Sequence, residues 1–278
     1  MQHVERDIAF TRHEARRGFA WVRVSYALFR RAPLPWLLLV LAYYVVLVAI
    51  KMVPFVGGLA AVVLKPLFAV GFLAAAWNQE RGVKPSVRHL FQGFRSNLVA
   101  LLPLGVILLA GIALAVAATA VIDGGQLVSL FVDPAPAGLD QEAAAQRFSD
   151  TLSEPRVQVG MLFGALCALP TLLSLWFAPA LVVFQDATVL AALRASLRAS
   201  LANWRPLLRY AMTVFLFAAV VPSFLSLLVA LVAPQAVYPV FATVVLLPYT
   251  ACFVATLQIS DYVSYRDVFH AEETLAPA

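Results

Sequence analysis

Leu98–Ile122 reads LVALLPLGVILLAGIALAVAATAVI, twenty-five residues without a charge or a histidine. About 20 apolar residues in a helix rising 1.5 Å each cover the ~30 Å hydrocarbon core of a bilayer. Thr119 is the one polar side chain, and its hydroxyl can bond within its own helix. This stretch therefore reads as a membrane span. It is entered through His89-Leu90-Phe91-Gln92-Gly93-Phe94-Arg95-Ser96-Asn97, basic and aromatic, and left through Asp123-Gly124-Gly125, acidic and turn-forming.

Working outward, five further stretches have the same character. The full set is Leu34–Val53, Leu59–Trp77, Leu98–Ile122, Val157–Phe184, Leu207–Val232 and Val237–Ile259. Pro54–Gly58 joins the first pair as a tight turn, and Ala233-Pro234-Gln235-Ala236 joins the last. Over all 278 residues 62% are hydrophobic and 13% charged, with a mean hydropathy of +0.86. A soluble domain is nearer half apolar and a quarter charged. The expected fold is an all-α, single integral membrane domain over 1–278, a polytopic bundle of six transmembrane helices with cytoplasmic interfacial amphipathic helices. The stretch before the first span has seven arginines and no signal-type apolar core, so span one is expected to serve as both targeting signal and permanent helix.

Orientation follows from charge. Arg6, Arg12, Arg16, Arg17, Arg23, Arg30 and Arg31 precede span one; Arg81, Lys84, Arg88 and Arg95 lie between spans two and three. Arg194, Arg198, Arg205 and Arg209 lie between spans four and five, and Arg266 follows span six. That puts 16 of 20 basic residues on one side, which the positive-inside rule makes cytoplasmic. The arm 1–33 and the tail 260–278 are then cytoplasmic. The loop 123–155 is outside, and it is acidic, with Asp123, Asp133, Asp140, Glu142, Asp150 and Glu154. Within it Asp140 can cap a short helix through Leu152 that Glu154-Pro155 stops.

Each odd-numbered span follows an arginine-bearing amphipathic stretch. Before span one, Phe19, Val22, Tyr26 and Phe29 share a helical face beside Arg16, Arg23 and Arg30. Before span three, Leu90, Phe91 and Phe94 lie with Arg95. Before span five, Leu190, Leu193, Leu197, Leu201 and Trp204 form a stripe flanked by Arg194, Arg198 and Arg205, with Ala192, Ala195, Ser196, Ala199 and Asn203 opposite. Such helices place apolar side chains among acyl chains and arginines at phosphate. Anionic phospholipids are thus the expected partner, with Arg16, Arg23, Arg30, Arg95, Arg194, Arg198 and Arg205 as headgroup contacts; nucleic acid is not. The pairs Phe29-Arg30, Phe94-Arg95 and Trp204-Arg205, with Pro66, Pro170 and Pro248 in the even-numbered spans, suggest a threefold parallel hairpin repeat. Aromatics and arginines flank most spans in any case.

Seven prolines (66, 103, 170, 179, 222, 239 and 248) fall within spans, which predicts kinks. Gly111, Ala115 and Thr119 in span three and Gly160, Gly164 and Ala168 in span four are small-residue stripes for close packing inside the bundle.

The spans as read hold no Asp, Glu or His, which weakens a proton-coupled transporter. Their charges are Lys51 and Lys65, both placed toward the outer face; snorkelling is the plain reading, and pairing of Lys65 with an outer-loop carboxylate the sharper one. His3, His13, His89 and His270 are scattered, and Cys167 and Cys252 sit in apolar runs as small hydrophobes. No catalytic, cofactor or metal set is predicted, and a carboxylate site from Glu80, Asp186 and Asp261 would require the threefold arrangement.

Arg16-Arg17-Gly18-Phe19 through Phe29-Arg30-Arg31-Ala32-Pro33, the stretch His89–Asn97, and Phe177-Ala178-Pro179-Ala180-Leu181-Val182 resemble an uncharacterised family of six-span inner-membrane proteins of Gram-negative bacteria. The repeated unit is more distantly similar to the membrane domain of some glycerophosphodiester phosphodiesterases, whose catalytic domain is absent. The resemblance implies fold and location and no activity. The first expectation for function is a non-catalytic scaffold, assembly or regulatory subunit, not an enzyme, contacting anionic lipid and a membrane protein partner. The second is a transporter or lipid-handling protein with a cavity at the proline-kinked helices.

Overall fold

The computed structural model describes residues 8–132, 141–232 and 234–270. Asp133 and Asp140, the latter with its capping role, Arg6, His3 and the last eight residues lie outside that set. The chain forms α1 (Arg16–Arg31), α2 (Pro33–Lys51), α3 (Gly57–Val63), α4 (Lys65–Glu80), α5 (Leu98–Asp123), α6 (Gln126–Val132), α7 (Gln141–Ser153), α8 (Pro155–Trp176), α9 (Ala178–Phe184), α10 (Val189–Ala202), α11 (Trp204–Val232) and α12 (Tyr238–Phe269). A 3₁₀ turn Val87–Phe91 and a helical turn Gln92–Arg95 lead into α5.

Among the described residues five helices are long and apolar enough to cross a membrane: α2, α5, α8 continued by α9, α11 and α12. The expected second span is instead a broken one, α3 and α4 meeting at 44° about Leu64. Pro66 sits in the first turn of α4, where a missing N–H leaves no bond unmade. Counted as one, the pair is a sixth crossing. Span four also breaks, at Phe177, with Pro179 in the first turn of α9, while Pro170 is carried inside the continuous α8.

Prolines 222 and 248 produce a different distortion. Each follows a π-helical segment, Leu216–Val220 in α11 and Ala242–Leu246 in α12. A proline ring clashes with the carbonyl four residues back and cannot donate to it, so a widened turn there relieves the clash. In α11 the widened register would pair residue 222 with Phe217, and proline has no N–H to give. The Tyr249 hydroxyl from α12 donates to that Phe217 carbonyl at 2.5 Å instead. This satisfies an acceptor that lipid could not.

The small-residue stripes meet each other, as expected. A Cβ on Gly164 would lie 2.5 Å from the Ala115 carbonyl oxygen, and one on Gly111 would lie 2.5 Å from the Thr171 methyl. α5 and α8 pack along their length through this contact. Beyond them Asp123 closes α5; its carboxylate accepts from the Gly125 and Leu127 N–H groups and so starts α6. The helix expected in the acidic loop is α7, and Pro155 opens α8 after ending it.

The largest fully buried side chains, Trp21, Trp36, Phe68, Phe72 and Phe177, lie toward the basic end of the bundle. α4 lies in that core, lined by Gly71 against Leu90 and Gly93 against the Leu67 backbone. The helix of span six runs on past Ile259. The helix continues to Phe269, and Ser260, Tyr262, Val263, Ser264, Tyr265, Asp267 and Val268 are all buried. The stretch read as the start of a tail is therefore a core helix end.

Candidate functional site

The helix that carries Arg16, Arg23 and Arg30 divides the face Phe19, Val22, Tyr26 and Phe29 read from sequence between core and surface. Its buried face is Gly18, Trp21, Val22, Ser25, Leu28 and Phe29, while Phe19 and Tyr26 are exposed. Two contacts set this rotation. Gly18 admits the Pro206 carbonyl oxygen so closely that a Cβ would lie 2.0 Å from it. Trp21 Nε1 donates to Asp267 at 2.8 Å. As a result α1 packs against both α11 and α12, and Arg16, Arg23 and Arg30 are exposed.

Asp267 is the centre of this clasp. Arg17 donates to it through two nitrogens, at 2.7 and 2.5 Å, and His13 Nε2 lies 3.6 Å away. Asn203 accepts from the His13 backbone N–H at 2.8 Å and donates to the Thr11 carbonyl at 3.0 Å. A buried carboxylate is tolerated when it is paired and hydrogen-bonded in this way. Nearby, Glu80 accepts from the Tyr262 hydroxyl at 2.8 Å and pairs with Arg266. Gln79 bridges Trp36 and the Leu28 carbonyl at 2.8 and 2.9 Å.

α10 is docked by hydroxyls. Ser196 donates to the Leu173 carbonyl at 2.8 Å and accepts from the Phe177 N–H at 3.0 Å; Ser200 donates to the same carbonyl at 3.1 Å. These are backbone groups freed by the break between α8 and α9. The small residues Ala192, Ala195, Ala199 and Asn203 are buried, and Leu190, Leu201 and Trp204 are exposed with Arg194 and Arg198. Arg95 and Arg205 are exposed as well, Arg205 lying 5.4 Å from the centre of the Trp204 ring and Arg30 5.9 Å from that of Tyr26. The seven arginines thus occupy four elements at the basic end and do not converge on one point.

Lys51 ends α2 and is exposed. Among the described residues no outer-loop carboxylate pairs with Lys65. Asp123 is used by its own turn, and Glu154 accepts from Gln126 at 3.2 Å. Nor is Lys65 near the far end of its neighbours. The Val63 carbonyl, two residues before it, lies against Gly105. Gly105 is seven residues, about 10 Å, into α5 from the basic side. Lys65 shares a cavity there with Asp261 of α12. Glu80, Asp186 and Asp261 are not gathered: Glu80 and Asp261 line separate cavities, and among the described residues no three His, Cys, Asp or Glu side chains form a metal site.

Two more cavities matter. One of about 390 Å³, at the basic end, is lined by Glu80, Arg81, Tyr265, Arg266 and His270. Another, of about 560 Å³, lies between α1, α11 and α12. Tyr26, Phe217, Tyr249 and Phe253 make its apolar walls, and Arg23 is its one charge.

Among known proteins, the chain is 30% identical over 267 residues to a protein of Burkholderia thailandensis described as a probable inner membrane protein. The match covers 95% of this chain and 94% of that one. No family model matches the chain, and no solved structure does.

Proposed function

Because the chain belongs to the same family of inner-membrane proteins as the Burkholderia thailandensis relative, we propose that it is a non-catalytic scaffold, assembly or regulatory subunit, oriented with both termini in the cytoplasm and seated on anionic phospholipid. The observation that carries this reading is the arrangement of the arginines. Each lies on the outward face of an element whose other face is locked into the basic-end core, by the Asp267 clasp for α1 and by Ser196 and Ser200 for α10. Fixed cations at this level suit phosphate, each contributing about 1 kcal/mol near an anionic surface. α11 offers the partner its surface, since none of its outer half is buried in the bundle.

Extraction from the native membrane into nanodiscs, followed by native mass spectrometry, tests the partner half of this proposal. The expected particle holds a second protein at fixed stoichiometry. A protein-free particle overturns it.

A second reading, lipid handling, is supported by the 560 Å³ cavity between α1, α11 and α12. Its walls suit an acyl chain, and Arg23 suits the phosphate above it.

A further inference from the structure

Lys65 and Asp261 stand on opposite helices around one cavity of about 270 Å³, beside α5 and α8 within the membrane-spanning region. α12 is pinned in register on both sides of Asp261. Ser260 shares a 2.7 Å hydrogen bond with Tyr210, and Tyr262 donates to Glu80. Among the described residues no hydrogen bond or ion pair reaches the Asp261 carboxylate, and Lys65 is the cation that lines the cavity with it. Leu108, Leu172 and Leu175 supply apolar walls. Ionisable groups at such a level ordinarily pair directly or line a path for a ligand. These two are held apart with space between them, roughly the volume of nine waters.

An anion entering this space meets Asp261, and a cation meets Lys65. A molecule carrying both charges satisfies both walls. We infer that the Lys65–Asp261 cavity binds a compact zwitterion, its ammonium group toward Asp261 and its phosphate or carboxylate toward Lys65. Two sources carry this chemistry: the headgroup of an ethanolamine phospholipid and a free amino acid such as glycine. The site is independent of the arginine belt, so its failure leaves the proposed function standing, and the reverse.

The full chain is placed in nanodiscs holding equal phosphatidylethanolamine, phosphatidylcholine and phosphatidylglycerol, and the retained lipid is identified by native mass spectrometry. In a parallel arm glycine is titrated calorimetrically into the protein in phosphatidylglycerol nanodiscs. Wild type is compared with Lys65→Met, Asp261→Asn and the double exchange Lys65→Asp/Asp261→Lys. The lipid source predicts one phosphatidylethanolamine retained, with glycine silent; the free source predicts glycine binding without lipid selection. In either case each neutral variant loses at least tenfold in retention or affinity, and the exchange, which keeps both charges, recovers it. Equal retention of the three lipids with no glycine heat overturns the inference. So does unchanged binding by both single variants. If the single variants do not fold, the exchange decides: folded and binding supports the site, folded and empty overturns it.

Discussion

Arg17 and Asp267 lie 250 residues apart in sequence and meet through two hydrogen bonds, so the helix before the first span and the last turn of α12 are one structural unit. Trp21 adds a third donor to the same carboxylate. Asp267→Asn is expected to lower stability in detergent by about 2–3 kcal/mol, since hydrogen bonds to a charged group each contribute about 1.5–3 kcal/mol and an amide keeps part of the set. Arg17→Met leaves the buried carboxylate without its cation and should cost at least as much. Thermal unfolding followed by tryptophan fluorescence measures both. Equal stability of the Asp267→Asn protein and wild type would remove the clasp from this account.

Gly18→Ala should detach α1 more sharply than its size suggests. The added methyl meets the Pro206 carbonyl and the Tyr210 backbone nitrogen, which lie on a helix and cannot yield like a flexible side chain. Overpacking of this kind costs about 1–3 kcal/mol. Faster cleavage within the arm by a soluble protease, at unchanged overall helicity, is the expected signature.

The Tyr249–Phe217 bond gives a double-mutant test. Tyr249→Phe strands the Phe217 carbonyl and should cost about 1–3 kcal/mol. In a Pro222→Ala background the restored N–H can serve that carbonyl, so the same Tyr249→Phe change should then cost less than half as much. Additive effects would show that proline and tyrosine are not coupled in this way.

Orientation is open to direct chemical test. In a background lacking Cys167 and Cys252, a cysteine at exposed Phe148 in α7 should react with a membrane-impermeant maleimide from the periplasmic face. One at exposed Arg31 should react only after the membrane is opened. The opposite pattern would invert the topology.

Much of this was readable from sequence because bilayer thickness and apolar periodicity act locally. The long apolar run Leu98–Ile122, the small-residue stripes of Gly111 and Gly164, and the leucine stripe of α10 all follow from spacing alone. The break at Leu64 was legible only as a kink at Pro66, because a proline marks a bend without saying that the helix stops and restarts there. The continuation of the last helix past Ile259 was not legible because Ser260, Asp261 and Ser264 lower the local hydropathy, although Ile259, Tyr262, Val263 and Arg266 keep the helical period. Asp267 and Arg17 could not have been paired from one sequence, because neither lies in a local motif and their contact depends on how α1 enters the bundle. The same holds for Lys65 and Asp261. Each looked like the end of a span until the fold placed them around one cavity.

The arginine belt remains the central claim. Native mass spectrometry from nanodiscs of equal phosphatidylglycerol and phosphatidylcholine compares wild type with Arg194→Gln/Arg198→Gln/Arg205→Gln. At about 1 kcal/mol for each arginine, wild type should retain phosphatidylglycerol selectively, and the variant should lose that preference by tenfold or more while staying folded. A folded variant with the same lipid preference as wild type would contradict the account.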